Sequence, residues 1–209
     1  MGYYPVFLEM KDRRCVVIGG GTVAERRVEG LVAVGANVTV ISPAITDRLR
    51  NMLTQGAIRH VAREYRTGDR AGYDLVFVAT DNSEINAAVA AEAPSLRIWV
   101  NSADDPDHCD FILPAVIRRG DLAVAVSTGG VSPAATRAIR EELDEYFIVN
   151  YAIFVQIAGE VRRELREKSV TPSAEAWNRA LRGDFRRLIR EGKTMQAKAL
   201  LLEKLGAKS

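Results

Sequence analysis

The sequence predicts an α/β fold in which a parallel β-sheet is covered by helices and is followed by a hairpin and further helices. Short apolar runs of strand length alternate with helical segments over about the first hundred residues. Runs that are apolar at nearly every position are typical of strands in a parallel sheet that is buried on both faces. Beyond residue 113 the alternation stops, and two strand-like runs precede segments that all look helical.

The N-terminal region alternates five predicted strands with three predicted helices. The strands are RCVVIG (14–19), NVTVIS (37–42), AIRHVA (57–62), YDLVFVAT (73–80) and LRIWVN (96–101). The helices cover 22–34, where Gly35 ends the first, then 44–55, then 84–93, where Pro94 ends the third. The order predicts a Rossmann-type parallel sheet.

Two further strands, 111–120 and 122–130, are joined by a turn-forming "RRGD". Ser132 and Pro133 then form an N-cap and first-turn pair that opens a helix to about Tyr146. A hairpin and one helix are too small to bury their own faces, so they either extend the sheet or pair with a second copy. We expect a homodimer, because two-fold closure is the commonest way to cover such a surface. The apolar residues that a monomer would leave partly exposed are Ile112, Leu113, Val116, Leu122, Val124, Val126 and Ile139.

The region from Asn150 onward is predicted to be entirely helical. Its first helix carries Phe154, Ile157, Val161 and Leu165 at helical spacing. Thr171 and Pro172 open a helix that carries Trp177 and Leu181, and Asp184 caps a short helix through Ile189. Thr194 opens the last helix, with Ala199, Leu202 and Leu205 on one face and Gly206 at its end. We divide the chain into a Rossmann domain (1–113), a dimerisation region (114–149) and a C-terminal helical domain (150–209).

The composition is that of an ordinary globular protein, with 47% hydrophobic residues, 27% charged residues and a net charge of +2. No apolar run approaches the ~18 residues of a membrane span, and no signal peptide is recognisable. Cys15 and Cys109 do not make a disulfide framework, so we expect a cytoplasmic protein with neither a membrane nor a nucleic acid as partner. From residue 151 onward, 13 Lys and Arg stand against 7 Asp and Glu. This excess alone favours solvated basic faces over a surface for an anionic ligand.

The glycine-rich segment "CVVIGGGTVAERR" (15–27) predicts a dinucleotide site, because a strand precedes it and a helix follows it. Gly19 permits the tight turn, and Gly21 lets the backbone approach a pyrophosphate. Ala24 is small enough for close packing of the helix on the strand. The N–H groups of Thr22 and Val23 at the helix start would face the phosphates. A glycine-rich turn without a ligand is the weaker interpretation.

The end of the second strand departs from the usual dinucleotide pattern. An acidic residue normally binds the adenosine ribose there, whereas this strand ends in Ser42 and Pro43. Ser42 can bond a ribose hydroxyl but carries no charge to exclude a 2′-phosphate. The pattern alone therefore does not separate NAD from NADP, and the nearby Arg48 leaves NADP open.

Ligands in such folds lie beyond the carboxyl ends of the strands, where two further segments carry polar residues. The fourth strand ends with Thr80 and Asp81. The loop after the fifth strand contains Asp104, Asp105, Asp107, His108 and Asp110. This loop is either a solvated acidic turn or a source of a general base or metal ligand beside the cofactor.

A third segment, "STGGVSPAATR" (127–137), contains a Gly-Gly turn before a helix. Backbone N–H groups around Thr128 and Gly129 would favour an anion, and Arg137 lies one turn into the helix. A well-capped helix without a ligand is the alternative.

These segments, taken in order, resemble successive blocks of the precorrin-2 dehydrogenase / sirohydrochlorin ferrochelatase family, the N-terminal module of siroheme synthases. The matching blocks are "VVIGGGTVAERR", "GANVTVISP", "VFVATDN", "VNSADDPDHCDFILPA" and "AVSTGGVSPAATRAIREEL". They span residues 3–147 with matching spacing, and the helical C-terminal part fits the family's plan without a diagnostic motif.

The resemblance implies NAD-dependent oxidation of precorrin-2 to sirohydrochlorin and, in some members, insertion of Fe²⁺ to give siroheme. It places the catalytic aspartate at Asp104. Thr128 stands where some members have a serine that is phosphorylated. His108 is either a surface or helix-capping imidazole or a residue that guides the metal. Arg137 and Arg140 would meet the carboxylates of the tetrapyrrole.

Two other functions are compatible with the sequence. One is a different enzyme on the same fold, since fold does not determine chemistry. The other is a regulatory module that senses NAD without catalysis, which would need the glycines but not the acidic loop. The sequence leaves open whether metal insertion occurs and what the C-terminal helices contact.

Overall fold

The computed structural model describes residues 2–80, 82–92, 98–103 and 109–206. The chain divides into two compact units, Met1–Ile112 and Leu113–Ser209. The first unit contains a parallel sheet with its helices, and the second contains a hairpin and a group of helices.

Within the described residues, the first unit has a five-stranded parallel sheet in the order β3-β2-β1-β4-β5. Ile18 at the end of β1 pairs with Ile41 of β2 and with Val78 of β4. The carboxyl ends of the three central strands therefore lie side by side, which is where this type of sheet binds ligands. The strands are β1 (Arg14–Ile18), β2 (Asn37–Ile41), β3 (Ile58–Val61), β4 (Leu75–Val78) and β5 (Trp99–Ser102).

Helices cover both faces of this sheet, which confirms the predicted α/β fold. Side chains of a strand alternate between the two faces, so Val17 packs in one core with Val28, and Val16 packs in the other with Val89. The first core also receives Leu49. The helices that supply these residues are α1 (Thr22–Val32), α2 (Asp47–Thr54) and α3 (Ser83–Ala91).

The predicted strand at 111–120 begins four residues later than expected, at Ala115. Phe111 instead packs on the core of the first unit, with its ring 5.7 Å from that of Phe77 in an edge-on arrangement. Its carbonyl also accepts a hydrogen bond from the Asn101 side chain. Strand β6 (Ala115–Arg119) pairs antiparallel with β7 (Leu122–Val126), which ends before the predicted residue 130.

The described part of the second unit contains five helices beside this hairpin. Helix α4 begins at Pro133 and is capped by the Ser132 hydroxyl, as the sequence predicted. It has no fully buried residue, whereas α5 buries Ile157, Val161 and Leu165. The helices are α4 (Pro133–Tyr146), α5 (Asn150–Glu167), α6 (Ala174–Ala180), α7 (Asp184–Arg190) and α8 (Thr194–Lys204).

The caps of two short helices differ from prediction. Helix α6 is capped by Ser173, whose hydroxyl accepts a hydrogen bond from the Ala176 N–H group, and not by Thr171 and Pro172. Helix α7 has Gly183 at its N-cap, and Asp184 is its first helical residue. Serine, threonine, aspartate and glycine are all common at N-caps, so two such residues close together in the sequence leave the exact N-cap position ambiguous.

The buried face of α8 also differs from prediction. Ala197, Leu201 and Leu205 are buried, Leu202 is half-buried, and Ala199 is exposed. Spacing of four residues places the first three on one side of the helix, where they join the core formed by α5 and α7. None of the described helices is both long and apolar enough to span a bilayer.

Candidate functional site

The glycine turn after β1 is held between the ends of β2 and β4. The Gly19 N–H group donates to the carbonyl of Ile41 at 2.9 Å. Gly19 has a φ of +119°, and a Cβ atom there would lie 2.1 Å from the carbonyl oxygen of Ala79. Only glycine fits this position, because both the backbone angle and the space exclude a side chain.

Gly20 has an equally strict role that the sequence analysis missed. A Cβ atom on Gly20 would lie 1.9 Å from the carbonyl oxygen of Ala44 and 2.8 Å from the Ser42 hydroxyl. The Gly20 carbonyl accepts from the Thr46 N–H group at 3.1 Å. The run of three glycines is the signal for this contact, since the dinucleotide pattern needs only two of them.

Gly21 faces open space at the start of α1. A Cβ atom on Gly21 would meet nothing within 4 Å. No side chain caps this helix, and its first internal hydrogen bond runs from the Glu25 N–H group to the Gly21 carbonyl. By contrast, Thr46 caps α2 and Asn82 caps α3.

The N–H groups of Thr22 and Val23 therefore point from a helix N-terminus into open space. Both residues are exposed, Val23 by 43%. Such a terminus attracts a phosphate through its free donors and its dipole. Ala24 is fully buried in the core, so it serves packing of the helix on the sheet. The turn thus fits the pyrophosphate of a dinucleotide.

Ser42 lies beside this turn but faces inward. It is 8% exposed, and its hydroxyl donates to the carbonyl of Ala44 at 2.7 Å. Its own carbonyl lies 2.9 Å from Nε2 of His60. Since its proton is used locally, Ser42 can only accept a hydrogen bond from a ribose hydroxyl. Pro43, the next residue, is exposed.

Arg48 is held by carboxylates of α1 instead of standing ready for a 2′-phosphate. It pairs with Glu29, and its Nε lies 3.9 Å from Glu25. Glu25 also accepts a hydrogen bond from the Thr46 hydroxyl at 2.6 Å. These two carboxylates offset the charge of Arg48.

Thr80 lies against the glycine turn at the end of β4. Its backbone nitrogen would be 3.2 Å from a Cβ atom on Gly19, and its hydroxyl accepts from the Asn82 N–H group at 3.2 Å. The structure therefore brings together Gly19, Ser42 and Thr80 around one edge of the sheet. Asp81 lies outside the described residues.

The segments on either side of the acidic loop are fixed next to each other. The Cys109 sulfur lies 3.1 Å from the Ser102 nitrogen and 3.3 Å from its carbonyl oxygen. The Asp110 carboxylate accepts from the Val100 N–H group at 2.8 Å, which gives this acid a structural role. Burial lowers the pKa of Arg27 on α1, and the neighbouring Cys109 opposes that shift.

The loop between these anchors contains the predicted catalytic residue. Asp104, Asp105, Asp107 and His108 all lie outside the described residues. Elsewhere, in the parts of the chain that are described, no three acidic, histidine or cysteine side chains gather as metal ligands would.

The Gly-Gly turn of the second unit is organised by Thr128. Its hydroxyl lies 3.1 Å from both the nitrogen and the carbonyl oxygen of Ser132 and 2.9 Å from the Thr136 hydroxyl. Gly129 has a φ of +63° and donates its N–H group to the Ser127 hydroxyl. Thr128 thus shapes the start of α4. Arg137 is exposed and has no ion-pair partner among the described residues.

Comparison with known proteins defines the class. Residues 6–115, more than half of the chain, match a family model described as putative NAD(P)-binding. The chain belongs to this NAD(P)-binding family. Residues 119–146 match a second model, described as sirohaem biosynthesis protein central.

Relatives and a solved structure narrow this class and confirm the family resemblance. Siroheme synthases of Nitrosospira multiformis and Methylococcus capsulatus are 36% and 37% identical, over 98% and 97% of this chain. The chain spans 45% and 43% of these relatives, less than half of their length. The solved structure of SirC, a precorrin-2 dehydrogenase, superposes with a TM-score of 0.77 and 26% identity, covering 99% of this chain and all of that one.

Proposed function

We propose that this chain is a dehydrogenase that oxidises precorrin-2 to sirohydrochlorin with NAD as hydride acceptor. The observation that carries this is the open space at Gly21 before the uncapped N-terminus of α1. Its support is a likeness to a precorrin-2 dehydrogenase that extends over the whole of that chain.

Different residues of the first unit bind different parts of the cofactor. The N–H groups of Gly21, Thr22 and Val23 hold the pyrophosphate, and Ser42 accepts from a ribose hydroxyl. Thr80 lies at the same edge of the sheet, and we assign Asp81, the next residue in the sequence, to the cofactor as well. When bound, NAD supplies the acceptor for a hydride.

Asp104 takes the proton that leaves with oxidation of the tetrapyrrole. A carboxylate is suited to this step when it lies beside the reacting carbon. In the sequence, Asp104 comes two residues after the end of β5, and ligands of such sheets bind beyond the carboxyl ends of the strands. The anchors at Ser102, Cys109 and Asp110 hold the two ends of its loop. His108 would then guide Fe²⁺ as the substrate of metal insertion.

The second unit supplies cationic surface for the carboxylates of the substrate. Arg137 is exposed and unpaired by any described acid, and Arg140 makes a loose contact of 3.5 Å with Glu141. Thr128 and Gly129 shape the turn that precedes this helix. We assign these residues to positioning the substrate.

The protein is a homodimer through the hairpin and α4 in this proposal. Leu113, Val116 and Ile139 are each 40% exposed, Tyr146 is 62% exposed, and α4 buries no residue completely. A monomeric mass in light scattering at micromolar concentration contradicts this. We place the dimer in the cytoplasm because the two cysteines of the chain do not make a disulfide framework.

The decisive experiment supplies precorrin-2 and NAD and follows the absorbance of the more conjugated product together with NADH. A dehydrogenase forms both in equal amounts. An NAD-sensing module, the alternative, binds NAD and forms neither. Addition of Fe²⁺ or Co²⁺ to sirohydrochlorin, with and without the protein, then tests metal insertion separately.

A further inference from the structure

We propose that a groove along α5 in the second unit binds a planar, apolar molecule that carries carboxylates, namely a tetrapyrrole. The groove has a volume of about 680 Å³ and lies between one side of α5 and the segment 170–181, which includes α6. Sites of this size are typical for small molecules and not for single ions.

The floor of the groove is apolar. Leu165 is buried, while Phe154, Trp177 and Leu181 line the groove and are half-buried. An indole ring among aliphatic side chains is suited to stacking on a flat conjugated ring. The apolar part of the ligand is therefore planar or aromatic.

One wall of the groove is lowered by a glycine inside α5. Gly159 is exposed, and a Cβ atom there would meet nothing within 4 Å. Glycine in a helix interior is less stable than alanine, and no contact among the described residues requires it here. Because Gly159 has no side chain, the groove stays open beside Ala158.

The rim of the groove is positively charged. Arg162 and Arg166 line it one helical turn apart, both are exposed, and neither has an ion-pair partner among the described residues. Two of the three acids of the same helix are engaged elsewhere: Glu160 lies 3.3 Å from Lys198, and Glu164 lies 3.1 Å from Lys168. The third, Glu167, is exposed. Two neighbouring guanidinium groups repel each other until a carboxylate pairs with them.

A tetrapyrrole combines the two chemistries that the groove offers, a flat conjugated body and peripheral carboxylates. The choice of this ligand rests on the proposed function, because the substrate and product of that reaction are polycarboxylate tetrapyrroles. Binding itself requires neither NAD nor turnover, so it can be tested alone.

The test titrates uroporphyrin, a planar polycarboxylate tetrapyrrole, into the full ¹⁵N-labelled chain. The chain has two tryptophans, so the indole N–H signal of Trp177 is assigned by comparison with Trp177→Phe. We expect this signal to move saturably. Arg162→Ala with Arg166→Ala should weaken the interaction about tenfold or more, as loss of charged hydrogen bonds does. Gly159→Leu should abolish it by filling the groove.

Two matched variants serve as controls. Arg163→Ala removes one positive charge from the same helix outside the groove lining and is compared with each single variant, Arg162→Ala and Arg166→Ala. Gly159→Ala removes the glycine with little loss of volume. Both should retain binding. Uroporphyrin binding that leaves the Trp177 signal in place, or that is equal in all variants, overturns the proposal. A Trp177 signal that moves on dilution of the protein alone identifies a second copy of the chain as the occupant and also overturns it.

Dehydrogenation of precorrin-2 by the same variants separates this inference from the proposed function. Turnover without a groove response rejects only the groove. A groove response without turnover rejects only the dehydrogenase.

Discussion

Gly20 lies so close to Ala44 that a Cβ atom on it would come within 1.9 Å of the Ala44 carbonyl oxygen, while a Cβ atom on the adjacent Gly21 would meet nothing. Glycine is therefore required at these two neighbouring positions for different physical reasons. Gly20 permits two backbone segments to cross, and Gly21 leaves room for a ligand.

Replacement of Gly21 by valine should abolish measurable NAD binding and leave the fold intact. The branched side chain would occupy the space in which the pyrophosphate must lie, while its Cβ atom would meet no protein atom within 4 Å. Calorimetric titration with NAD measures the binding, and thermal unfolding monitors the fold. An unchanged NAD affinity in Gly21→Val would remove the cofactor assignment.

Gly20→Ala is the contrasting variant and should destabilise the chain by about 1–3 kcal/mol, as overpacking does. Its methyl group meets backbone that cannot rotate away. Denaturant midpoints of the two variants give the comparison. A Gly20→Ala protein as stable as the parent would contradict the crossing at Ala44.

Asp104→Asn should lower dehydrogenation by ~10²–10⁴-fold, the usual contribution of a positioned general base, with little change in NAD affinity. The amide retains the shape of the side chain and cannot take the proton. Asp107→Asn is the control from the same loop. If the two variants lose equal activity, the base is not Asp104.

Replacement of Glu25 and Glu29 by glutamine should raise the affinity for NADP relative to NAD by roughly fivefold to tenfold. The change removes two negative charges and releases Arg48, which they now hold. Binding of both coenzymes is measured by calorimetry for the double variant and for each single variant, with Glu84→Gln on α3 as the control that matches the charge change of a single variant. An unaltered ratio would show that Arg48 lies too far from the ribose to act on it.

Asp69 should make the stability of the first unit depend on pH. Its carboxylate accepts two hydrogen bonds from Arg63, at 2.6 Å and 2.8 Å, and these bonds lower the pKa of Asp69. A lowered pKa contributes stability that is fully present above the ordinary value of about 3.9 and is lost as the pH falls through the folded-state value.

Asp69→Asn should therefore unfold at lower urea concentration than the parent at pH 7, and the difference should shrink as the pH falls below about 4. Urea midpoints from pH 7 to pH 2.5 test this. A difference that stays constant over the whole range would mean that the Asp69 charge contributes nothing.

Local signals in the sequence were sufficient for much of the fold. Ser132 and Pro133 place the start of α4 correctly, because a cap and a first-turn proline act within one turn of the helix. The predicted buried face of α8 was wrong because apolar residues occur on more than one side of that helix. Ala197 and Ala199 are chemically equivalent in the sequence, and only the helices that pack against α8 distinguish them.

Long-range contacts account for what the sequence could not predict. Phe111 looks like part of a strand until its ring is seen against Phe77. The pairing of Arg48 with Glu29 joins two helices whose approach no local pattern encodes. Of the site residues, Gly19, Gly21, Ser42 and Thr80 follow from the strand order, whereas the assignment of Asp104 still rests on the family resemblance.

The central position of β1 has a consequence for synthesis of the chain. Cys15 pairs with Val38 on one side and with Leu75 on the other. The first strand of this sheet to leave the ribosome therefore receives its second neighbour, β4, only after β2 and β3 have been made. Until residues 75–78 emerge, a nascent chain presents an apolar strand with one open edge, the kind of surface that chaperones bind and that aggregates when unprotected. Ribosome stalling just before β4 would therefore be far more hazardous to this protein than stalling just after it.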